Sequence, residues 1–407
     1  MPILRQYISF ILIALGALTI DGPILAQTNP PVEQGRKEAP QQKPNFPEQT
    51  RVPTVGTPSP YTATIITDDL EFPWGLDFLP DGRMIVSEKP GNIRIISKDG
   101  KVSQPLAGVP PVRYQGSGGM YDLKLAPDFA TSRRVFWTYV TTSEGDAMNC
   151  VTNGILSRDA SRLENVEVIY RIQPTRGGRF HFGSRMLFDQ DGRLYVTFGD
   201  RFRSGRPEVQ QLNSALGKII RINQDGTPAK GNPFAGKDKA LAEIWSVGHR
   251  NPQGLAFNPV NGELWETEHG PRGGDEINVI QKGGNYGWPE VSFGLEYNGG
   301  AVNGTGLTEK EGTQQPVYYY DPAAAPSGMT FYDGNLLPEW KNNLFVAMLR
   351  GMHIARLVVD QKTGRIISEE RILTEEGQRF RHVVQGPDGA LYALTDHENG
   401  RLYRIGK

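Results

Sequence analysis

The sequence predicts an all-β chain folded as a six-bladed β-propeller of four-stranded blades with long inserted loops, and three observations carry that expectation. A Pro/Asp/Gly turn followed by dense or alternating apolar residues recurs about six times. No stretch shows sustained helical periodicity. The 48 Gly and 30 Pro suit a chain rich in turns and short strands.

Taken in chain order, the first element is residues 1–26, where Arg5 precedes an apolar run from Ile8 to Leu15 and the small residue Ala26 offers a cleavage point. This reads as a secretory signal peptide, and it predicts a periplasmic or secreted protein with no stable membrane span after cleavage. An uncleaved anchor is the competing reading, but Asp21, Gly22 and Pro23 break the apolar run. Residues 27–61 are rich in Pro, Gln, Thr and charge, with few large apolar side chains, and are expected to form a disordered leader.

The propeller domain is expected over 62–407. Its six turn copies are FLPDGRMIVSEKPGNIRII from Phe78, LAPDFATSRRVFWTYV from Leu125, FDQDGRLYVTFGDR from Phe188, FNPVNGELWETEHG from Phe257, LPEWKNNLFVAMLRGMHIARL from Leu337 and QGPDGALYALTDHENGRLYRI from Gln385. Their spacing runs from about 46 to about 80 residues, wider than a strict propeller repeat, so long insertions are expected on one face. Function concentrates in such loops. Two stacked β-sandwiches would not need a repeated turn motif.

Composition narrows the partners. With 38% hydrophobic and 22% charged residues and a net charge of -1, the chain can bury a large core and has no excess of cations for nucleic acid. Its single cysteine, Cys150, permits no internal disulfide, and bland neighbours give no sign of an activated nucleophile.

Three segments carry chemistry. In GGRFHFGSRMLF, His181 stands at a strand entrance among small residues; a neutral imidazole there suits a general base, although such a histidine taken alone also reads as structural. In WSVGHRNPQGLAF, Arg250 and Asn251 precede Pro252 and offer donors to an oxyanion or quinone oxygen, while a capped turn is the plainer reading. In ETEHGPRGGDEINVIQKGGNYGWP, Glu266, Glu268, Asp275 and Glu276 accompany a Gly-Pro turn with exposed carbonyls, an oxygen-rich mixture that suits calcium without forming an EF-hand.

From about Asp68 onward the chain resembles the soluble aldose (glucose/sorbosone) dehydrogenases that depend on pyrroloquinoline quinone (PQQ). The motifs PWGLDFLPDG, HFGSRMLF, GHRNPQGLAF, HGPRGGDEIN with GGNYGWP, and RFRHVVQGPDG occur in that family's order. The resemblance implies PQQ and Ca2+ as cofactors, a sugar as substrate, and an unidentified electron acceptor in the cell envelope. It implies His181 as the base and Arg250 with Asn251 as quinone contacts, Arg250 also steadying charge on the quinone oxygen. Carbonyls of Gly270 and Pro271 would bind the calcium beside the quinone, and Glu276 with the Tyr286 carbonyl a second, structural one. Arg379, Arg381 and Arg350 would meet the cofactor's carboxylates, with Tyr297 and Tyr319 lining it.

Three departures mark this chain. Ser117 stands where the family usually has Gln, the nearest glutamine being Gln115, so both are candidate substrate contacts. Phe180 replaces an Asp or Asn before the base, and Arg350 replaces a lysine. Two other readings are a non-catalytic propeller that binds a protein or glycan, which would not retain His181 and the arginine set, and a calcium-dependent lactonase, which would not need the cationic cluster.

Overall fold

The computed structural model describes residues 29–407, so the expected signal peptide at 1–26 lies outside the described residues. Six antiparallel sheets surround a common axis. Blade 1 covers residues 73–96, blade 2 120–171, blade 3 186–247, blade 4 252–320, blade 5 326–372 and blade 6 380–406. Five blades have the expected four strands. Blade 1 has three regular strands, and residues 102–106 run along the last of them as an irregular fourth, with a bridge between Ile96 and Val102 and backbone bonds from Ser103 to Ile95 and from Leu106 to Ile93.

Blade 6 takes its outermost strand from the start of the ring: Thr62–Leu70 pairs antiparallel with Gly400–Gly406, so the two ends of the ring lock into one sheet. Closure in this manner removes two exposed edges.

The repeated turns explain the architecture. Each of the six copies joins the first and second strands of a different blade. First strands face one another around the axis, and second strands such as Leu194–Phe198 and Leu344–Met348 are buried along their whole length. A strand covered on both faces by neighbouring blades reads as a dense apolar run rather than an alternation. In an antiparallel blade, the link from strand two to strand three and the link to the next blade both leave at the end opposite the repeated turn. The links at 172–185 and 199–217 leave at that end, whereas the links at 223–243 and 281–317 join strands three and four and leave from the other.

The segment before the ring differs from its expectation. Residues 29–61 form an ordered arm that lies along blades 4 and 5. Val52 is buried in the core between these blades, beside Trp265, Tyr318 and Leu357. Arg51 donates to the carbonyls of Glu33 at 3.1 Å, Gly35 at 2.7 Å and Asp321 at 2.7 Å. Glu33 pairs with Arg371 at 2.7 Å, and the Gln49 amide donates to the Pro316 carbonyl at 3.0 Å. Composition suggests disorder because the arm cannot form a core of its own; it is ordered because the ring supplies the partners.

Candidate active site

His181 lies in the link between blades 2 and 3, with a left-handed backbone at φ 55°. The carbonyl of this residue accepts from the Arg201 backbone at 3.3 Å and from Arg201 Nη1 at 3.1 Å. Gly199 permits that close approach, since a Cβ there would collide with the His181 carbonyl. The ring nitrogen Nδ1 stands 2.7 Å from Oδ1 of buried Asp200. Asp200 in turn accepts from the Phe202 backbone at 2.6 Å and from Trp288 Nε1 at 2.8 Å. A carboxylate only accepts, so Nδ1 carries the proton and Nε2 keeps its lone pair for the cavity. Burial, and next the Arg250 guanidinium, hold the His181 pKa below its ordinary 6.5 against the pull of Asp200.

Two adjoining cavities meet at this imidazole. One, of about 370 Å³, is bounded by Ser117, Phe180, His181, Asn251, His269, Tyr297 and Arg381, among others; the second, of about 440 Å³, shares His181, His269 and Tyr297 and adds Arg250, Gly270, Pro271 and Arg350. Arg250 is buried, its backbone N–H 2.5 Å from Glu268 Oε2, and Nη1 donates to the carbonyls of His269 at 2.8 Å and Gly270 at 2.5 Å. Nε and Nη2 of Arg250, Nε of Arg381 and Nε2 of His269 are buried without a partner. Guanidinium donors left unmatched beside a cavity favour an anionic occupant that completes them. Arg381 is otherwise held by Gln253 at 3.2 Å, Ser327 at 3.3 Å and Asp396 at 3.0 Å. Burial, and next Arg381, push the pKa of His269 down to about 3, so it stays neutral.

A smaller cavity behind Arg250 is lined by Glu268, Gly270, Pro271, Glu276 and Tyr286. His249, Glu266 and Glu268 bring ligand atoms within 4.8 Å of one another beside it. Burial first, then the charge of Glu268, push the carboxyls of Glu266 and Glu276 well above their ordinary range. Glu266 Oε1, Asn278 Oδ1 and His249 Nδ1 lack partners. Clustered carboxylates with unmatched oxygens in a dry site fit a hard divalent cation.

Not every residue assigned from the sequence reaches the cavities. Tyr319 is buried on the outer strand of blade 4, stacked on Phe293 with centroids 4.3 Å apart, and its hydroxyl faces neither cavity. Gln115 lies outside the lining and accepts from Arg113 at 3.1 Å, whereas Ser117 is in it. Arg379 is half exposed, tied to the Leu349 carbonyl and Asp396 at 3.4 Å each, and lines neither cavity. Arg381 and Arg379 share Asp396, but Arg381 lies buried within the strand Phe380–Gln385 whereas Arg379 stands just ahead of it, in solvent.

Comparison with known proteins places this geometry. The profile of the Glucose / Sorbosone dehydrogenase family matches residues 70–404. The chain belongs to that family. It is 40% identical over 350 residues to the aldose sugar dehydrogenase YliI of Escherichia coli, covering 86% of this chain and 93% of that protein. The crystal structure of the soluble E. coli aldose sugar dehydrogenase in its apo form superposes with a TM-score of 0.82 at 40% identity, covering 85% of this chain and 99% of the other. A PQQ-bound aldose sugar dehydrogenase from Streptomyces coelicolor aligns at 0.69 with 27% identity, covering 86% and 99%. This family member is thus a sugar-oxidising oxidoreductase on a six-bladed propeller.

Two residues central to the site carry no assignment from the sequence. Asp200 ends a core strand as Gly-Asp, and nothing linear ties it to His181. His269 stands in the carboxylate-rich segment, where its neighbours draw the attention.

Proposed function

We propose that the protein oxidises the C1 hydroxyl of aldoses to lactones using PQQ and calcium, with His181 as the base. The observation that carries this reading is the His181–Asp200 pair opening onto a cavity walled by unmatched guanidinium donors. Asp200 fixes the imidazole so that Nε2 accepts the sugar hydroxyl proton while the C1–H bond gives up its electron pair. Bound PQQ supplies the two-electron acceptor that takes this hydride. Arg250, Asn251 and Arg381 would hold the acceptor and stabilise negative charge on it, and Tyr297, which lines both cavities, would pack beside it.

The carbonyls of Gly270 and Pro271 would hold the calcium next to the quinone. The Gly270 carbonyl already accepts from Arg250, so calcium would use its remaining lone pair or displace that contact. Glu276 and the Tyr286 carbonyl, with Glu268 beside them, would hold a structural calcium. Electrons would leave to an acceptor in the cell envelope, consistent with export by the segment at 1–26.

The test is a titration of the purified protein with PQQ and calcium chloride, followed by dye-linked aldose oxidation. Uptake of PQQ by wild type and by His181→Ala, with turnover lost only in the variant, is expected. Failure of the wild-type protein to take up PQQ would overturn the reading.

A further inference from the structure

The N-terminal arm adds a carboxylate to the cavity assigned above to the cofactor. Glu38 lines the 440 Å³ cavity together with Arg250, Gly270 and Arg350. Its position is set by the ring: the Glu38 backbone N–H donates to Asp321 Oδ1 at 2.6 Å, and Oε2 accepts from the Ala323 N–H at 3.0 Å. From there the carboxylate grips Arg350 end-on, 3.1 Å from Nη1 and 2.9 Å from Nη2. Burial alone would raise the Glu38 pKa, but the bonds from Arg350 and Ala323 outweigh it and keep the group ionised.

That arrangement is at odds with a cavity for an anion. Arg350 presents both terminal nitrogens to Glu38, so a carboxylate arriving at the same guanidinium meets a neutralised partner and a like charge. The superposition with the E. coli apo structure covers 99% of that chain but leaves 15% of this one unmatched, a share the size of the segment ahead of the ring. We propose that Glu38 is a counter-anion carried by the arm, which holds Arg350 until a carboxylate of the cofactor takes its place and thereby sets how tightly and how quickly the cofactor exchanges. This rests on the PQQ reading of the site.

The experiment compares wild type, Glu38→Gln, Arg350→Gln and the double variant in the full chain with calcium, reading PQQ affinity by tryptophan quenching and PQQ release by dilution. Glu38→Gln is expected to bind PQQ about tenfold more tightly and to release it more slowly. In the Arg350→Gln background the same change is expected to shift affinity less than about twofold, which separates competition for Arg350 from loosening of the arm. Glu48→Gln, which breaks an arm pair with Arg365 at 2.8 Å on the exposed surface, serves as control and stays at the wild-type value. Unchanged or weaker binding by Glu38→Gln overturns this proposal alone, as does an equal shift in both backgrounds. A wild-type protein that binds no PQQ overturns it together with the functional reading.

Discussion

The ring and the arm reach order by different means. In the ring, Leu344, Val346 and Trp265 are sealed between blades, and strand ladders satisfy the backbone within each sheet. In the arm, apart from a short helical turn at Pro47–Gln49 and the isolated bridges Pro31–Pro53 and Thr54–Glu369, the chain is irregular; Arg51, Gln49 and Gln42 reach carbonyls, while Asp321 receives two consecutive arm N–H groups. The contrast teaches that low hydrophobicity predicts the lack of an autonomous core, not the lack of a docking site. It also places the two regions unequally at the cavities: the ring supplies His181, the guanidinium groups and the Gly270 and Pro271 backbone, and the arm one carboxylate.

The largest effect is expected at the ring's proposed base, His181, and its carboxylate partner. Asp200→Asn presents an amide that can donate to Nδ1, which favours the tautomer with a protonated Nε2; kcat is expected to fall by about 10²–10⁴-fold while PQQ uptake survives, checked by steady-state kinetics beside an absorbance titration. A fall under threefold would show that Asp200 is not what prepares His181.

Stability should divide along the same boundary. Leu344→Ala leaves a cavity among buried neighbours and is expected to cost about 2–5 kcal/mol of the cooperative unfolding free energy. Arg51→Ala removes hydrogen bonds to carbonyls of the arm and of Asp321, each worth about 1.5–3 kcal/mol for a charged donor, yet the loss is expected as early proteolysis of the arm with little change in the ring's melting temperature. Equal global destabilisation by both variants would mean that arm and ring unfold as one unit.

Calcium should act on the ring. The carboxylates of Glu266, Glu268 and Glu276 repel one another in a buried site, so calcium at a hundredfold excess over its Kd is expected to add about 2.7 kcal/mol of stability. Glu276→Gln is expected to abolish most of that gain, read as the difference in melting temperature with calcium and with chelator.

The smallest effect is on the pH profile. With His181 as the proposed neutral base, and burial and Arg250 lowering its pKa, kcat/KM is expected to be level near neutrality and to fall as acidification passes a midpoint below 6.5. Arg250→Gln removes the larger of the two nearby cationic causes and should move the midpoint upward; a midpoint that stays in place would assign the shift to burial and Arg206.

Much of this was legible in the linear chain because it is local. The turn copies from Phe78 to Gln385 each mark one strand pair, and a two-residue motif such as Arg250–Asn251 keeps its chemistry wherever the fold carries it. His181, Ser117, Gly270 and Arg381, nominated through the family resemblance, all line the cavities. Tyr319 does not, because a strand sends successive side chains to opposite faces and the choice of face depends on what packs there; Gln115 and Arg379 stand in loops, where contacts remote in sequence set the direction of the side chain. The sequence by itself determined the repeat, the six blades and the residue types the site needs. Only the tertiary structure decided that Asp200 meets His181 and that an arm without a core of its own delivers Glu38 to Arg350, since both pairings join residues whose contact depends on how separate loops and segments pack.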